Sequence, residues 1–170
     1  MWILGFDTKY LRGRYFTKSK WGYKWLLRSI ITQKILGINR NCPWPVSPFV
    51  HVTFPESIEF DPDDINTFQT FGSYFMARPD GRIKIGKGTW IAPNVGIITQ
   101  NHDLKDLKKA ALAEDVIIGE ECWIGMNSVI LPGVILGDHT IVGALSLVNK
   151  SFIEGNCLIA GNPAKKIRDL

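Results

Sequence analysis

No stretch of the 170-residue chain supplies the run of about eighteen apolar residues that a membrane-spanning helix needs. Cysteine is rare. Cys42, Cys122 and Cys157 are the only three, and none stands in a C-x-x-C spacing. Reduced, mostly structural thiols in a cytoplasmic protein are therefore expected. Histidine is as sparse, with His51, His102 and His139 far apart. The first residues lack the order of basic, apolar and small side chains that marks a secretory leader. Acidic charge is nearly missing from residues 1–55, where Asp7 stands alone against nine lysines and arginines. That segment carries +8 and the remainder −4, which gives the net +4. A basic N-terminal segment on an acidic body points to an anionic partner. No RNA or DNA motif accompanies the charge, which argues against nucleic acid.

The segment 17–38 has the pattern of an amphipathic helix. Trp21, Trp25, Leu27, Ile30, Ile31, Ile35 and Ile38 make a broad apolar face, and Lys20, Lys24, Arg28 and Lys34 supply cations. Gly37 is placed to end it. The apolar face is expected to pack on the body of the protein. The cations make an anionic membrane surface the competing partner, at the inner face of a membrane. Pro43, Pro45 and Pro48 then forbid helix and give an extended linker. Two regions follow: a basic segment over 1–48 and a repeat domain over 49–170.

The repeat is a six-residue one. Aliphatic residues recur at Ile118, Ile124, Ile130, Leu136, Val142 and Val148, with glycine after four of them at Gly119, Gly125, Gly137 and Gly143. Ile85, Ile91 and Ile97 share the phase upstream. Such a period is the signature of a parallel β-helix, an all-β solenoid in which the aliphatic residue points inward at each turn. Small residues let the backbone bend at the corners. Ile97 and Ile118 are twenty-one residues apart, not a multiple of six, so a loop leaves the prism between them. Asn101 to Lys109 is polar and suits that loop. Val50, Val52, Ile58, Ile65, Phe71 and Ile83 keep the period poorly. It also fails at Glu154, where a second excursion is expected before Leu158-Ile159-Ala160.

Four runs carry a family resemblance: Ile118-Gly-Glu-Glu-Cys-Trp-Ile-Gly125, Val129-Ile-Leu-Pro-Gly-Val-Ile-Leu-Gly137, Ile141-Val-Gly-Ala144 and Ala160-Gly-Asn-Pro-Ala-Lys-Lys-Ile-Arg168. They resemble the hexapeptide-repeat acetyltransferases, and within them the sugar and polysaccharide O-acetyltransferases of the galactoside, maltose and colanic-acid type. The resemblance implies a left-handed parallel β-helix and a homotrimer with active sites between subunits. It implies acetyl-CoA as donor, without a metal, and a sugar or glycan hydroxyl as acceptor in surface polysaccharide synthesis. His102 matches the family's catalytic histidine. A neutral imidazole there would remove the proton of a hydroxyl as it attacks the thioester. Asn94 would meet the acceptor, and Asp103 would do so or orient His102. Trp123, Gly125, Gly143 and Ala144 would line the acyl-CoA groove. Lys150, Lys165, Lys166 and Arg168 would meet its phosphates. Met126 and Asn149 depart from the family's usual residues beside that groove.

Three other readings compete. The same prism serves zinc-dependent carbonic anhydrases, which need three imidazoles at a subunit interface. This chain lacks their closely spaced histidine pair. N-acetylation of an amino sugar uses the same donor. A non-enzymatic scaffold is the third reading, and the loop histidine and basic tail weigh against it.

Overall fold

The computed structural model describes the backbone of residues 1–170 and, Trp2 apart, their side chains. Three parallel sheets form the faces of a prism. Face one stacks Trp90–Ile91, Trp123–Ile124, Ile141–Val142 and Cys157–Ala160. Face two stacks His51–Thr53, Tyr74–Met76, Gly96–Ile98, Val129–Ile130 and Leu147–Val148. Face three stacks Ile58–Phe60, Ile83–Ile85, Val116–Ile118 and Ile135–Leu136. From Trp90 to Val148 the chain visits the faces in that order, one short strand at a time, so the architecture is a parallel β-helix. The hexad aliphatics from Ile85 to Val148 point inward, each 5% exposed or less. In-register stacking, such as Ile97 on Ile130 on Val148, turns them into continuous apolar columns.

The glycines after these aliphatics have a packing cause. A Cβ on Gly125 would lie 2.6 Å from the Ala144 nitrogen, and one on Gly137 2.3 Å from the Ile153 carbonyl oxygen. The next coil's backbone passes too close for a side chain. Buried hydroxyls satisfy the corner carbonyls: Thr140 donates to Gly137 at 2.6 Å, and Thr89 to Gly119 at 2.8 Å.

Insertions explain where the period fails. Ile118 and Leu136 pair across a coil of eighteen residues. Ile85 and Ile118 pair across thirty-three, so fifteen residues leave the prism there, as the sequence implied. The early coils are also overlong, with Val52 opposite Phe75 and Ile58 opposite Ile83. The helical turns over Pro62–Gln69 take up part of that excess. Near the C-terminus the structure differs from expectation. The coil contracts and makes no excursion: Phe152 bridges to Leu136 two residues ahead of the hexad phase, and Ile159 then stacks on Val142. Glu154 is thereby left exposed. After Gly161 the basic tail forms the strand Lys165–Asp169, antiparallel to Cys157–Ala160 at the edge of face one.

The N-terminal segment caps the other end of the prism. Arg14–Thr17 and Trp21–Ser29 are α-helical, and the second continues as a wider turn over Ile30–Ile35 until Gly37, at φ +83°. Gly22, Ser29 and Gln33 face the body and are buried. The Gln33 amide donates to the Asn39 and Trp44 carbonyls and accepts from the Val46 N–H. Cys42, Trp44 and Val46 of the proline-rich stretch are buried too. The expectation that the helix packs by its apolar face is thus corrected in part. Trp25 and Leu26 pack against the core, but Trp21, Leu27, Ile31 and Ile35 are exposed, because a hydrogen-bonded polar side shares the contact.

Candidate active site

The fifteen extra residues form a tight finger at the corner between faces two and three. Thr99 is fully buried at its root, and its N–H and hydroxyl both donate to the Met76 carbonyl. The Glu114 N–H donates to the Thr99 carbonyl at 2.8 Å and closes the base. Above it, Ala111 N–H donates to Asn101 at 2.9 Å and Asp103 N–H to Lys109 at 3.0 Å. His102 lies on this ladder opposite Ala110, with its ring in solvent. An open hollow of about 670 Å³ beside it is lined by Asn101, Asp103, Leu104, Lys105, Leu107 and Ala111.

The imidazole is held from one side. His102 Nδ1 lies 3.0 Å from the Leu107 carbonyl oxygen. A carbonyl can only accept, so Nδ1 carries the proton, and neutral imidazole then presents an unprotonated Nε2 outward. The orienting part expected of Asp103 falls to Leu107. Asp103 Oδ1 instead accepts the N–H groups of Lys105 and Asp106, at 2.7 and 3.1 Å, and shapes the fingertip.

Asn94 is at the opposite end of the strand Gly96–Ile98 from the finger. Its φ of +59° places it in the left-handed corner also used by Asn127 and Leu145. Trp123 points outward from face one, half exposed, with the equally exposed Trp90 beside it in register. The Gly143 carbonyl accepts two hydroxyls, from Ser128 at 2.9 Å and Ser146 at 2.6 Å, which fixes the corner leading to exposed Ala144. Lys165, Lys166 and Arg168 line the exposed edge strand of face one. Lys166 also pairs with Asp169, whose carboxylate holds the ammonium above its usual range. Lys150 stands exposed on the corner that carries the finger, two coils further on.

These residues fall into two groups. Trp123, Gly125, Gly143, Ala144, Lys165, Lys166 and Arg168 gather on face one and its corner with face two. His102 and Asp103 stand on the finger, at the other edge of face two. The other histidines lie elsewhere: His51 stacks on Tyr74 on face two, and His139 sits on a face-three corner, 3.3 Å from Glu121. Sequence reasoning missed Trp90 and Leu107. Trp90-Ile91 repeats the dipeptide Trp123-Ile124 and was there to be found, whereas a backbone carbonyl leaves no mark in sequence.

Residues 115–150 match the family model described as bacterial transferase hexapeptide (six repeats). A putative colanic acid biosynthesis acetyltransferase of Escherichia coli (strain K12) is 32% identical over 129 residues, 73% of this chain and 65% of that protein. The galactoside O-acetyltransferase of the same strain is 37% identical over 94 residues, 54% of this chain and 46% of it. Among solved structures, a maltose O-acetyltransferase from Clostridium difficile 630 aligns with a TM-score of 0.52 at 29% identity, over 76% of this chain and 62% of that one. The chain spans less than two thirds of each of these relatives. The parallel sheets and these structures fit a left-handed β-helix of the hexapeptide-repeat class. Within that class, the chain is similar to the acetyltransferases of sugars and surface polysaccharides.

Proposed function

We propose that this protein is an acetyl-CoA-dependent O-acetyltransferase acting on a hydroxyl of a sugar in surface-glycan synthesis on the cytoplasmic side. The carrying observation is the exposed His102 ring, fixed through Nδ1 by the Leu107 carbonyl, on a residue that borders the hollow. Nε2 removes the hydroxyl proton as that oxygen attacks the thioester carbon. The tetrahedral oxyanion takes hydrogen bonds from backbone N–H groups. The C–S bond then breaks, and the departing thiolate takes the proton back from the imidazolium. A thiolate leaves readily, so no covalent intermediate on the protein is needed. One solved relative, a galactoside acetyltransferase, is described in complex with coenzyme A, at 28% identity and a TM-score of 0.51.

The active site is completed between subunits of a homotrimer. Within one chain the finger and the face-one residues stand apart. The finger also exposes Leu104, Leu107 and Leu112, at 94, 71 and 86%, an apolar set suited to a neighbouring subunit. Trp123, Gly125, Gly143 and Ala144 would form the wall of the acyl-CoA groove. Lys150, Lys165, Lys166 and Arg168 would meet its phosphates, and Asn94 the acceptor. Two measurements test the reading. Sedimentation should give three subunits. A screen of saccharides and amino sugars should release thiol from acetyl-CoA, with saccharide hydroxyls preferred. A stable monomer with full activity would refute the shared site, and turnover on amines alone would refute O-acetylation.

A further inference from the structure

The N-terminal helix shows its apolar residues to solvent. Outward positions follow helical spacing along one stripe, Lys20, Lys24, Leu27, Ile31 and Ile35, and Ile38 beyond the helix end extends the apolar patch. The last four are each at least 40% exposed. Trp21, also exposed, lies at the start of the stripe with the Lys24 ammonium 4.4 Å from its ring centre. The opposite side is committed: Gly22 packs on Phe16, Ser29 and Gln33 bond to the backbone of Trp44 and Val46, and Trp25 and Leu26 pack against the core. The stripe is therefore free to meet something else.

Its charge says what. Between residues 8 and 55 there is no acidic side chain at all. Lys20 and Lys24 form no ion pair among the described residues, while the two lysines of the early coils, Lys84 and Lys87, are matched to Glu59 and Asp61. A second copy of this segment would bring its own unneutralised cations against these. An anionic bilayer supplies both what the cations and what the isoleucines lack. Among the described residues, no helix is long and apolar enough to cross a membrane, so the helix would lie along the surface.

We propose that this stripe docks the protein on an anionic lipid surface, with the aliphatic end in the headgroup boundary and Lys20 and Lys24 over lipid phosphates. Trp21 adds the amphipathic ring favoured at such boundaries. Docking is independent of the acetyl-transfer reading, because it requires neither acetyl-CoA nor an acceptor.

The test is flotation of the full-length protein with vesicles of phosphatidylcholine alone, or with about a third phosphatidylglycerol. The protein should float with the anionic vesicles and lose that binding as salt is raised. Replacing Lys20 and Lys24 with alanine should weaken partitioning about thirtyfold, roughly fivefold per cation. Ile31→Ser with Ile35→Ser should abolish it while circular dichroism, subunit number and thiol release stay unchanged, since both residues are outside the catalytic machinery. Absence of flotation with anionic vesicles would overturn the proposal. So would a loss of subunits in the double-serine variant, which would make the stripe a contact between copies.

Discussion

The contracted coil near the C-terminus yields a sharp test of how the prism is wound. By strict six-residue counting Glu154 falls in the core, and Phe152 falls outside it. The structure reverses this: Phe152 bridges to Leu136 and packs on the core, and Glu154 is exposed. Phe152→Ala removes a six-carbon phenyl ring. Full burial of such a ring is worth about 3–5 kcal/mol. Phe152 is only partly buried, so about 2 kcal/mol is expected. Its backbone bonds to Ile135 and Gly137, at 2.8 and 2.9 Å, survive the substitution. At about 2–4 °C per kcal/mol for a chain of this length, the midpoint should fall by about 4–8 °C. Glu154→Leu should stay within about 0.5 kcal/mol of wild type, as surface changes do. The assay is thermal and urea unfolding of both variants beside wild type. A gain of more than about 1 kcal/mol in Glu154→Leu, with little loss in Phe152→Ala, would show that the hexad phase continues and the contraction is wrong.

The finger gives a second prediction. Asp103→Ala should raise hydrogen exchange at the Lys105 and Asp106 amides about tenfold, the loss of roughly one net hydrogen bond, and leave the unfolding midpoint unchanged. Asp103→Asn keeps an accepting oxygen and should stay within about threefold; equal exchange in both variants would refute the turn-forming part. The thiols give a third. Cys42, Cys122 and Cys157 are free and buried, and burial pushes the Cys42 thiol up to about 12. A thiol reagent at pH 8 should find none of them in the native protein and all three in denaturant. Fast native modification would contradict the packing of the corners.

The hexad columns were legible because an inward residue every six positions is a packing rule that the sequence states outright. The finger was legible as an arithmetic failure between Ile97 and Ile118. Less could be seen where geometry depends on who faces whom. The helix stripe over Trp21–Ile38 is amphipathic, and amphipathicity alone suggests that its apolar side is inward. Gln33 turns most of that side outward, leaving Trp25 and Leu26 on the core, by offering both a donor and an acceptor to the backbone around Trp44. The partner of His102 is hidden for a related reason, since the Leu107 carbonyl is a property of the fold and not of leucine. Glu154 misled through a two-residue contraction, which moves the core position to Phe152 without altering any motif.

In the proposed mechanism His102, from the finger of one subunit, is the base that makes a sugar hydroxyl attack acetyl-CoA. The most direct measurement is thiol release with the preferred saccharide, comparing wild type with His102→Ala. Loss of a general base predicts a fall in kcat of about 10²–10⁴-fold, with the KM for acetyl-CoA nearly unchanged. Wild-type turnover in His102→Ala would contradict the account.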